Sequence, residues 1–158
     1  MFGIGKKNCE VIGSPMEGQT MDITKVKDPT FAQEILGKGI AVIPKEGKVV
    51  APCGGYIEMV FDTKHAISMK TDGGVELLIH VGIDTVTLKG KYFRAHVEAG
   101  HHVEAGNLLL EFDIDGITGE GFDVATPIVV CNTKNYKKIT PHMNKEVSAL
   151  DAILTIQK

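Results

Sequence analysis

The sequence contains no tryptophan, and aromatic residues make up only 6% of its 158 residues. It has no run of about 18 to 20 consecutive apolar residues, the length a membrane-spanning helix requires, so no direct membrane insertion is expected. Basic residues are not in excess: the formal net charge is -3 at pH 7, which argues against nucleic-acid binding. With 43% hydrophobic and 23% charged residues, the composition and length predict a single globular domain over residues 1–158.

Cysteine is scarce as well. Cys9, Cys53 and Cys131 are an odd number without paired spacing, which provides neither a disulfide framework nor a zinc knuckle. Reduced thiols are typical of the cytoplasm, and the first ten residues lack the apolar stretch of a secretory signal. We therefore predict a cytoplasmic protein in which residues 1–9 form a short N-terminal lead. The initiating methionine and the short lead favour a free-standing chain.

Short strand-like segments separated by Gly, Asp, Asn and Pro dominate the rest of the chain. They recur at intervals of roughly ten residues, the spacing of a β-sandwich or β-barrel. The predicted strands cover residues 39–44, 48–51, 56–62, 65–70, 75–82, 86–88, 107–113, 128–132 and 152–156. One short helix is predicted over 28–36, with Asp28 as N-cap and Pro29 at the first helical position. The sequence thus indicates an all-β fold with little helix.

Two histidines, His65 and His80, flank an Asp-Gly-Gly segment. A two-residue Asp-Gly turn at 72–73, among the strongest hairpin signals, would pair them directly, with Cβ atoms about 4.5–5.5 Å apart. A Gly-Gly turn at 73–74 would instead place His80 opposite Ile67. The Asp-Gly register is favoured, and it makes the two histidines one site.

Two cationic imidazoles at this distance would repel, so at least one is expected to be neutral at pH 7. A neutral imidazole nitrogen can attack phosphorus while a neighbouring N–H donates to a phosphoryl oxygen, or it can bind zinc. Thr63, two residues before His65, would lie on the same face of a continuous strand and orient that imidazole. Gly82, two residues after His80, leaves space and an accessible carbonyl group beside it.

The segment FDTKHAI at 61–67, followed by GVELLIHVGIDTVTLKG at 74–90, resembles the glucose-type enzyme IIA domains of the bacterial phosphoenolpyruvate-dependent sugar phosphotransferase system. The resemblance extends over about residues 10 to 158. Further matching segments lie at 28–31, 37–44, 50–52, 103–106 and 126–130. It implies a compact antiparallel β-sandwich or barrel with a shallow active-site depression.

The resemblance also implies roles for three residues. His80 would accept a phosphoryl group on Nε2 from the phosphohistidine of the carrier HPr, and pass it to a cysteine of a sugar-specific IIB domain of a IIB/IIC permease. His65 would stabilise the phosphoryl group, and Thr63 would orient His65. No cofactor and no metal are required, although His65 and His80 could bind adventitious zinc. The chain is expected to be a monomer.

A partner-binding surface is implied as well. Two acidic residues, Asp28 and Asp84, match positions that meet arginines on the partners. The apolar positions that match are Phe31, Ile35, Leu36, Phe61, Leu78 and Val86. We expect about half of this apolar set to be partly exposed, because an exposed apolar patch beside a reactive histidine indicates a transient interface.

Two other functions fit parts of the sequence. A zinc hydrolase similar to LytM-type peptidases could use His65, His80 and Asp84 as ligands, but the adjacent His pair at 101–102 points to opposite faces of a strand and supplies no His-x-His motif. A biotin- or lipoyl-carrier domain is suggested by the Met-Lys pair at 69–70. The lysine lies two residues before the Asp-Gly turn, however, and such carriers are shorter than this chain.

Overall fold

The computed structural model describes residues 8–158. Within them, fourteen strands are accompanied by two short α-helices, α1 (Pro29–Ala32) and α2 (Ile114–Gly119). The strands are β1 (Cys9–Gly13), β2 (Gly18–Met21), β3 (Lys38–Pro44), β4 (Lys48–Val50), β5 (Gly55–Val60), β6 (Ala66–Thr71), β7 (Glu76–His80), β8 (Phe93–Ala95), β9 (His102–Val103), β10 (Leu108–Phe112), β11 (Thr126–Val130), β12 (Lys138–Pro141), β13 (Glu146–Val147) and β14 (Ala152–Gln157). Three 3-10 helices cover Ile23–Lys25, Thr85–Leu88 and Thr133–Asn135.

The strands form three sheets in which the pairs are antiparallel. The largest has the order β13-β2-β3-β11-β7-β6-β5-β9, and the two smaller ones have the orders β1-β14-β12 and β4-β10-β8. The predicted antiparallel β-sandwich with little helix is confirmed. No helix within residues 8–158 is long and apolar enough to cross a membrane.

Strand β7 is buried on both of its faces, which explains its unbroken apolar sequence Leu-Leu-Ile. Leu77 and Ile79 face the main core, whereas Leu78 faces a second, smaller cluster of buried residues. This division follows from the two-residue period of a strand. The second cluster also contains Ile23, Val26, Phe31, Ala41, Ala66, Ile83 and Val129. It underlies the end of β7, where His80 is the last strand residue.

Two of the predicted elements differ in type or length from the structure, and six strands (β1, β2, β8, β9, β12 and β13) were not predicted. Residues 86–88 belong to the 3-10 helix Thr85–Leu88 and not to a strand, because the left-handed backbone of Asp84 (φ 60°) and Lys89 (φ 55°) interrupts any extended path. The predicted helix over 28–36 shortens to α1, since Glu34 adopts a φ of 57°. Its start is as predicted: the Asp28 carboxylate accepts a hydrogen bond of 2.9 Å from the Thr30 N–H.

The chain enters the sheet earlier than predicted. Cys9 begins β1 and pairs with Gln157 of β14, so residue 9 belongs to a sheet and not to the predicted lead over 1–9. Residues 1–7 of that prediction lie outside the described residues. The prediction of one domain over residues 1–158 stays a prediction.

Candidate active site

The hairpin that carries both histidines has a longer loop than predicted. Strands β6 and β7 are joined through residues 72–74, closed by a 2.8 Å hydrogen bond from the Thr71 N–H to the Val75 carbonyl. The Gly74 N–H also donates to the Thr71 carbonyl at 2.9 Å, and Gly74 has a φ of 97°. A tight turn followed by a left-handed glycine is the usual geometry of a loop of this length. All three residues of Asp-Gly-Gly are therefore used.

The extra loop residue changes the register. His80 lies opposite Ala66, so the predicted pairing of His80 with His65 is wrong by one residue, and the alternative pairing with Ile67 is wrong as well. Strict alternation in this register would point the two histidine side chains to opposite faces.

The two imidazole rings nevertheless meet. Their centroids are 4.7 Å apart, and the ring planes are nearly perpendicular at 83°. His65 escapes the alternation because it precedes β6 and follows a turn, closed by a 2.7 Å hydrogen bond from the Lys64 N–H to the Phe61 carbonyl, in which Lys64 has a φ of 57°. The site is thus built by a strand end and an adjacent turn, and not by two facing strand residues.

The tautomer of His80 follows from its hydrogen bond. Its Nδ1 lies 2.8 Å from the carbonyl oxygen of Gly82. A carbonyl oxygen only accepts, so the proton is on Nδ1, and the neutral ring carries its lone pair on Nε2. The ring is half-buried and packs against Phe31, with centroids 4.9 Å apart. His80 therefore presents Nε2 as the nucleophilic nitrogen.

His65 is buried, with 2% of its surface exposed. Its Nδ1 lies 2.6 Å from the Thr63 hydroxyl oxygen, and the Phe61 ring packs edge-on against it at 5.5 Å. The sequence predicted that Thr63 lies in a continuous strand with His65. It lies instead in the turn that precedes β6. The turn still brings its hydroxyl group to the imidazole, which fixes the ring orientation.

Both histidines are uncharged at neutral pH. Burial lowers the pKa of His65 to about 4, and the nearby His80 adds to this effect. Burial also lowers the pKa of His80, although the Gly82 carbonyl and the carboxylates of Asp28 and Asp84 oppose it. Removal from water disfavours the charged form of an imidazole, and two imidazolium ions would repel. The pair is therefore suited to nucleophilic chemistry.

Comparison with known proteins identifies the family. Residues 10–136 match the family model described as phosphoenolpyruvate-dependent sugar phosphotransferase system, EIIA 1. The chain belongs to this family. It is 45% identical over 140 residues to the PTS system glucose-specific EIIA component of Halalkalibacterium halodurans, which covers 84% of this chain and 81% of that protein.

Other similarities concern larger and solved EIIA proteins. The chain is 42% identical over 156 residues to the PTS system beta-glucoside-specific EIIBCA component of the same organism; this covers 99% of the chain but 24% of that protein. The chain thus spans about a quarter of the length of that curated relative. The glucose permease IIA from Mycoplasma capricolum superposes with a TM-score of 0.86 and 31% identity, covering 93% of this chain and 95% of that one.

Membership in the EIIA family favours the phosphoryl-carrier prediction over the zinc hydrolase and the biotin- or lipoyl-carrier domain. The geometry also disfavours the zinc hydrolase. Within residues 8–158, no group of three or more His, Cys, Asp or Glu side chains is arranged to hold a metal ion. His65 and His80 form a pair, without a third ligand among the described residues. Catalytic zinc usually has three protein ligands.

The apolar residues expected at a partner surface divide into two groups. Ile35, Leu36 and Val86 are exposed, by 66%, 40% and 48% of their surface, and Phe61 is half-buried. Phe31 and Leu78 are buried in the second core cluster, below the histidines. Of the acidic pair, Asp84 is exposed and Asp28 half-buried.

Two residues that shape the EIIA site, Thr85 and Asp123, were not predicted from the sequence. The Thr85 hydroxyl donates to the Val81 carbonyl at 2.5 Å, and the Asp123 carbonyl accepts from the Ile83 N–H at 2.9 Å. Both bonds hold the segment that follows His80. Thr85 lies in the segment that resembles the family, but its sequence position does not show which group its hydroxyl binds. Asp123 lies in a distant loop, so only the three-dimensional contacts reveal both roles.

Proposed function

We propose that this chain is the phosphoryl carrier of a sugar phosphotransferase system. His80 accepts a phosphoryl group from the phosphohistidine of HPr and passes it to a cysteine of a sugar-specific IIB domain. The observation that carries this proposal is the hydrogen bond from His80 Nδ1 to the Gly82 carbonyl, which leaves Nε2 unprotonated beside a second neutral histidine. The name EIIBCA of one relative supports B and C components as partners of an A component.

The transfer needs no base at His80. The Nε2 lone pair attacks phosphorus as the P–N bond to the HPr imidazole breaks, and the bonding electrons return to that imidazole. The proton stays on Nδ1, where the Gly82 carbonyl stabilises the positive charge that develops on the ring. In the second transfer a IIB thiolate attacks phosphorus, and the Nε2–P bond breaks. Positioning and electrostatics supply the catalysis.

His65 supports the transferred group. When the Thr63 hydroxyl donates to Nδ1, the neutral ring of His65 carries its proton on Nε2. This N–H can donate to a phosphoryl oxygen on His80, because the ring centroids are 4.7 Å apart. In this arrangement Thr63 holds His65 in the tautomer that can donate to the phosphoryl group.

The surroundings fit transient partners. The exposed side chains of Ile35, Leu36 and Val86 provide apolar surface on the segments that follow α1 and His80. Asp28 and Asp84 act on His80 electrostatically, and their carboxylates would attract arginines of HPr or IIB. Charge complementarity of this kind raises association rates more than affinity. The carrier would act in the cytoplasm as a monomer.

Phosphotransfer from HPr tests the proposal. Purified protein incubated with phosphoenolpyruvate, enzyme I and HPr should gain the mass of one phosphoryl group, in an acid-labile and base-stable bond that maps to His80. Omission of HPr is the control and should leave the mass unchanged. A complete reaction in which no phosphoryl group is gained would refute the proposed function.

The lowered histidine pKa values predict the pH dependence of stability. The unfolded state protonates His65 near its ordinary pKa of about 6.5, whereas the folded state does so only near 4. Between these values the unfolded state binds more protons, so the free energy of unfolding should fall as pH decreases through this window. Urea denaturation at several pH values measures this. His65→Gln should show a smaller decrease; an equal decrease would exclude His65 as its source.

A further inference from the structure

The acceptor for His80 Nδ1 belongs to a peptide group that is held from its other side. The Gly82 carbonyl and the Ile83 N–H are part of the same trans peptide, so they point in opposite directions. The N–H donates to the Asp123 carbonyl at 2.9 Å, and the carbonyl accepts from His80 at 2.8 Å. Hydrogen bonds linked through an amide in this way polarise one another. The peptide is therefore fixed between Asp123 and the nucleophile.

The preceding peptide is held by Thr85. Its hydroxyl group, on a side chain with no exposed surface, donates to the Val81 carbonyl at 2.5 Å. The Val81 N–H donates to the His65 carbonyl at 2.8 Å, so the segment is also tied to the second histidine. Both peptide groups that flank Gly82 thus have fixed partners.

Gly82 itself has little freedom between these two anchors. Its φ is 80°, in the left-handed region that glycine adopts without strain. A Cβ atom at this position would lie 2.5 Å from the Thr85 Cγ2 and 2.9 Å from the Asp123 carbonyl oxygen. The Thr85 methyl group therefore packs directly against Gly82, while its hydroxyl group fixes the neighbouring carbonyl. The Thr85 side chain therefore limits the space around Gly82 and also fixes the direction of the Val81 carbonyl.

We propose that Thr85 is a positioning residue for phosphoryl transfer, which aims the Gly82 carbonyl at His80 Nδ1 and thereby keeps Nε2 unprotonated. The inference rests on the proposed role of His80 as the phosphoryl acceptor. Thr85 does not touch the reacting atoms. Without its hydroxyl group the Val81 carbonyl loses its partner, the turn relaxes, and the imidazole can adopt the tautomer whose proton blocks Nε2.

Three variants test this role. Thr85→Val replaces the hydroxyl group with a methyl group and keeps the shape and the existing methyl group, whereas Thr85→Ser keeps the hydroxyl group. Asp123→Ala weakens the anchor on the other side of Gly82, the Asp123 carbonyl that accepts from the Ile83 N–H. The exposed Asp123 carboxylate holds this turn in place by accepting a 2.9 Å hydrogen bond from the Ala125 N–H, which alanine cannot replace. The tautomer of His80 is read from the ¹⁵N chemical shifts of its ring, and the maximal rate constant and half-saturating concentration of phospho-HPr are measured for single-turnover transfer to the protein.

Thr85→Val should shift His80 toward the Nε2-protonated tautomer and lower the maximal rate constant of phosphoryl acceptance about tenfold or more, with the half-saturating concentration of phospho-HPr nearly unchanged. Thr85→Ser should restore the wild-type tautomer, and Asp123→Ala should shift it in the same direction as Thr85→Val. If Thr85→Val does not fold, Asp123→Ala carries the test. Wild-type tautomer populations in the folded variants, with only a lower melting temperature, would overturn the inference. Failure of wild-type protein to accept a phosphoryl group would refute the proposed function instead, because the ring spectra do not depend on transfer.

Discussion

His80→Gln should lose phosphoryl acceptance by about 1,000-fold or more, since an amide side chain has no nucleophilic nitrogen lone pair in place of Nε2. Glutamine is close to histidine in length, so contact with Phe31 can persist and the hairpin should fold. The measurement is the rate at which the variant gains one phosphoryl group from phospho-HPr, and mass spectrometry of the intact protein detects this gain.

A matched variant at another histidine separates loss of the nucleophile from loss of an imidazole in general. His101 is exposed, and its Nδ1 accepts only a local hydrogen bond from the Glu98 N–H, at 3.2 Å. His101→Gln should therefore accept the phosphoryl group at the wild-type rate. Stoichiometric phosphorylation of the His80→Gln protein would place the acceptor elsewhere and refute the assignment.

His65→Gln should separate the two halves of the reaction. The variant should still accept the phosphoryl group from HPr. The neutral imidazole of His80 approaches phosphorus without charge repulsion, and the amide of the introduced glutamine can donate to a phosphoryl oxygen. Transfer onward to IIB should fall by about 100- to 1,000-fold, the loss expected when one strong transition-state contact is removed.

The physical reason lies in charge. A phosphoryl group on His80 would be a nearby negative group, which should raise the pKa of His65 above its value of about 4 in the unphosphorylated protein and favour a proton on its ring. The resulting cation reduces the repulsion between the phosphoryl group and an incoming thiolate. Glutamine cannot take up a proton. Single-turnover transfer from the purified phosphoprotein to a IIB domain measures this step, and an equal slowing of both half-reactions would contradict the division of roles.

Eight of the fourteen strands were predictable because they depend on short-range patterns, whereas the meeting of the two histidines was predicted on a register that the structure does not have. Turn residues at regular spacing, with apolar runs between them, indicate antiparallel strands without knowledge of the register. The register itself depends on one dihedral angle: the left-handed conformation of Gly74 lengthens the loop, and Asp-Gly-Gly is compatible with several loops. Residues 86–88 appeared strand-like because Val86 and Thr87 are β-branched and Leu88 is apolar. The left-handed conformations of Asp84 and Lys89, which bound the 3-10 helix, cannot be recognised from that composition.

Thr63 shows how a contact can be predicted on the wrong geometry. A continuous strand was expected to carry its hydroxyl group to His65, whereas the hydrogen bond forms across a turn. The separation of two residues is compatible with both arrangements. Thr85 and Asp123 could not be predicted, because each acts on the backbone of a segment whose path depends on the whole fold.

The half-buried ring of His80, fixed at the end of β7, also limits how the carrier can work. With Nδ1 committed to Gly82, the proposed function leaves one nitrogen of His80, Nε2, for both the donor and the recipient. The two partners would therefore compete for the same binding site, and each would have to dissociate before the other can bind. Very tight binding of either partner would slow phosphoryl transfer through the protein, so a high transfer rate favours short-lived complexes with both.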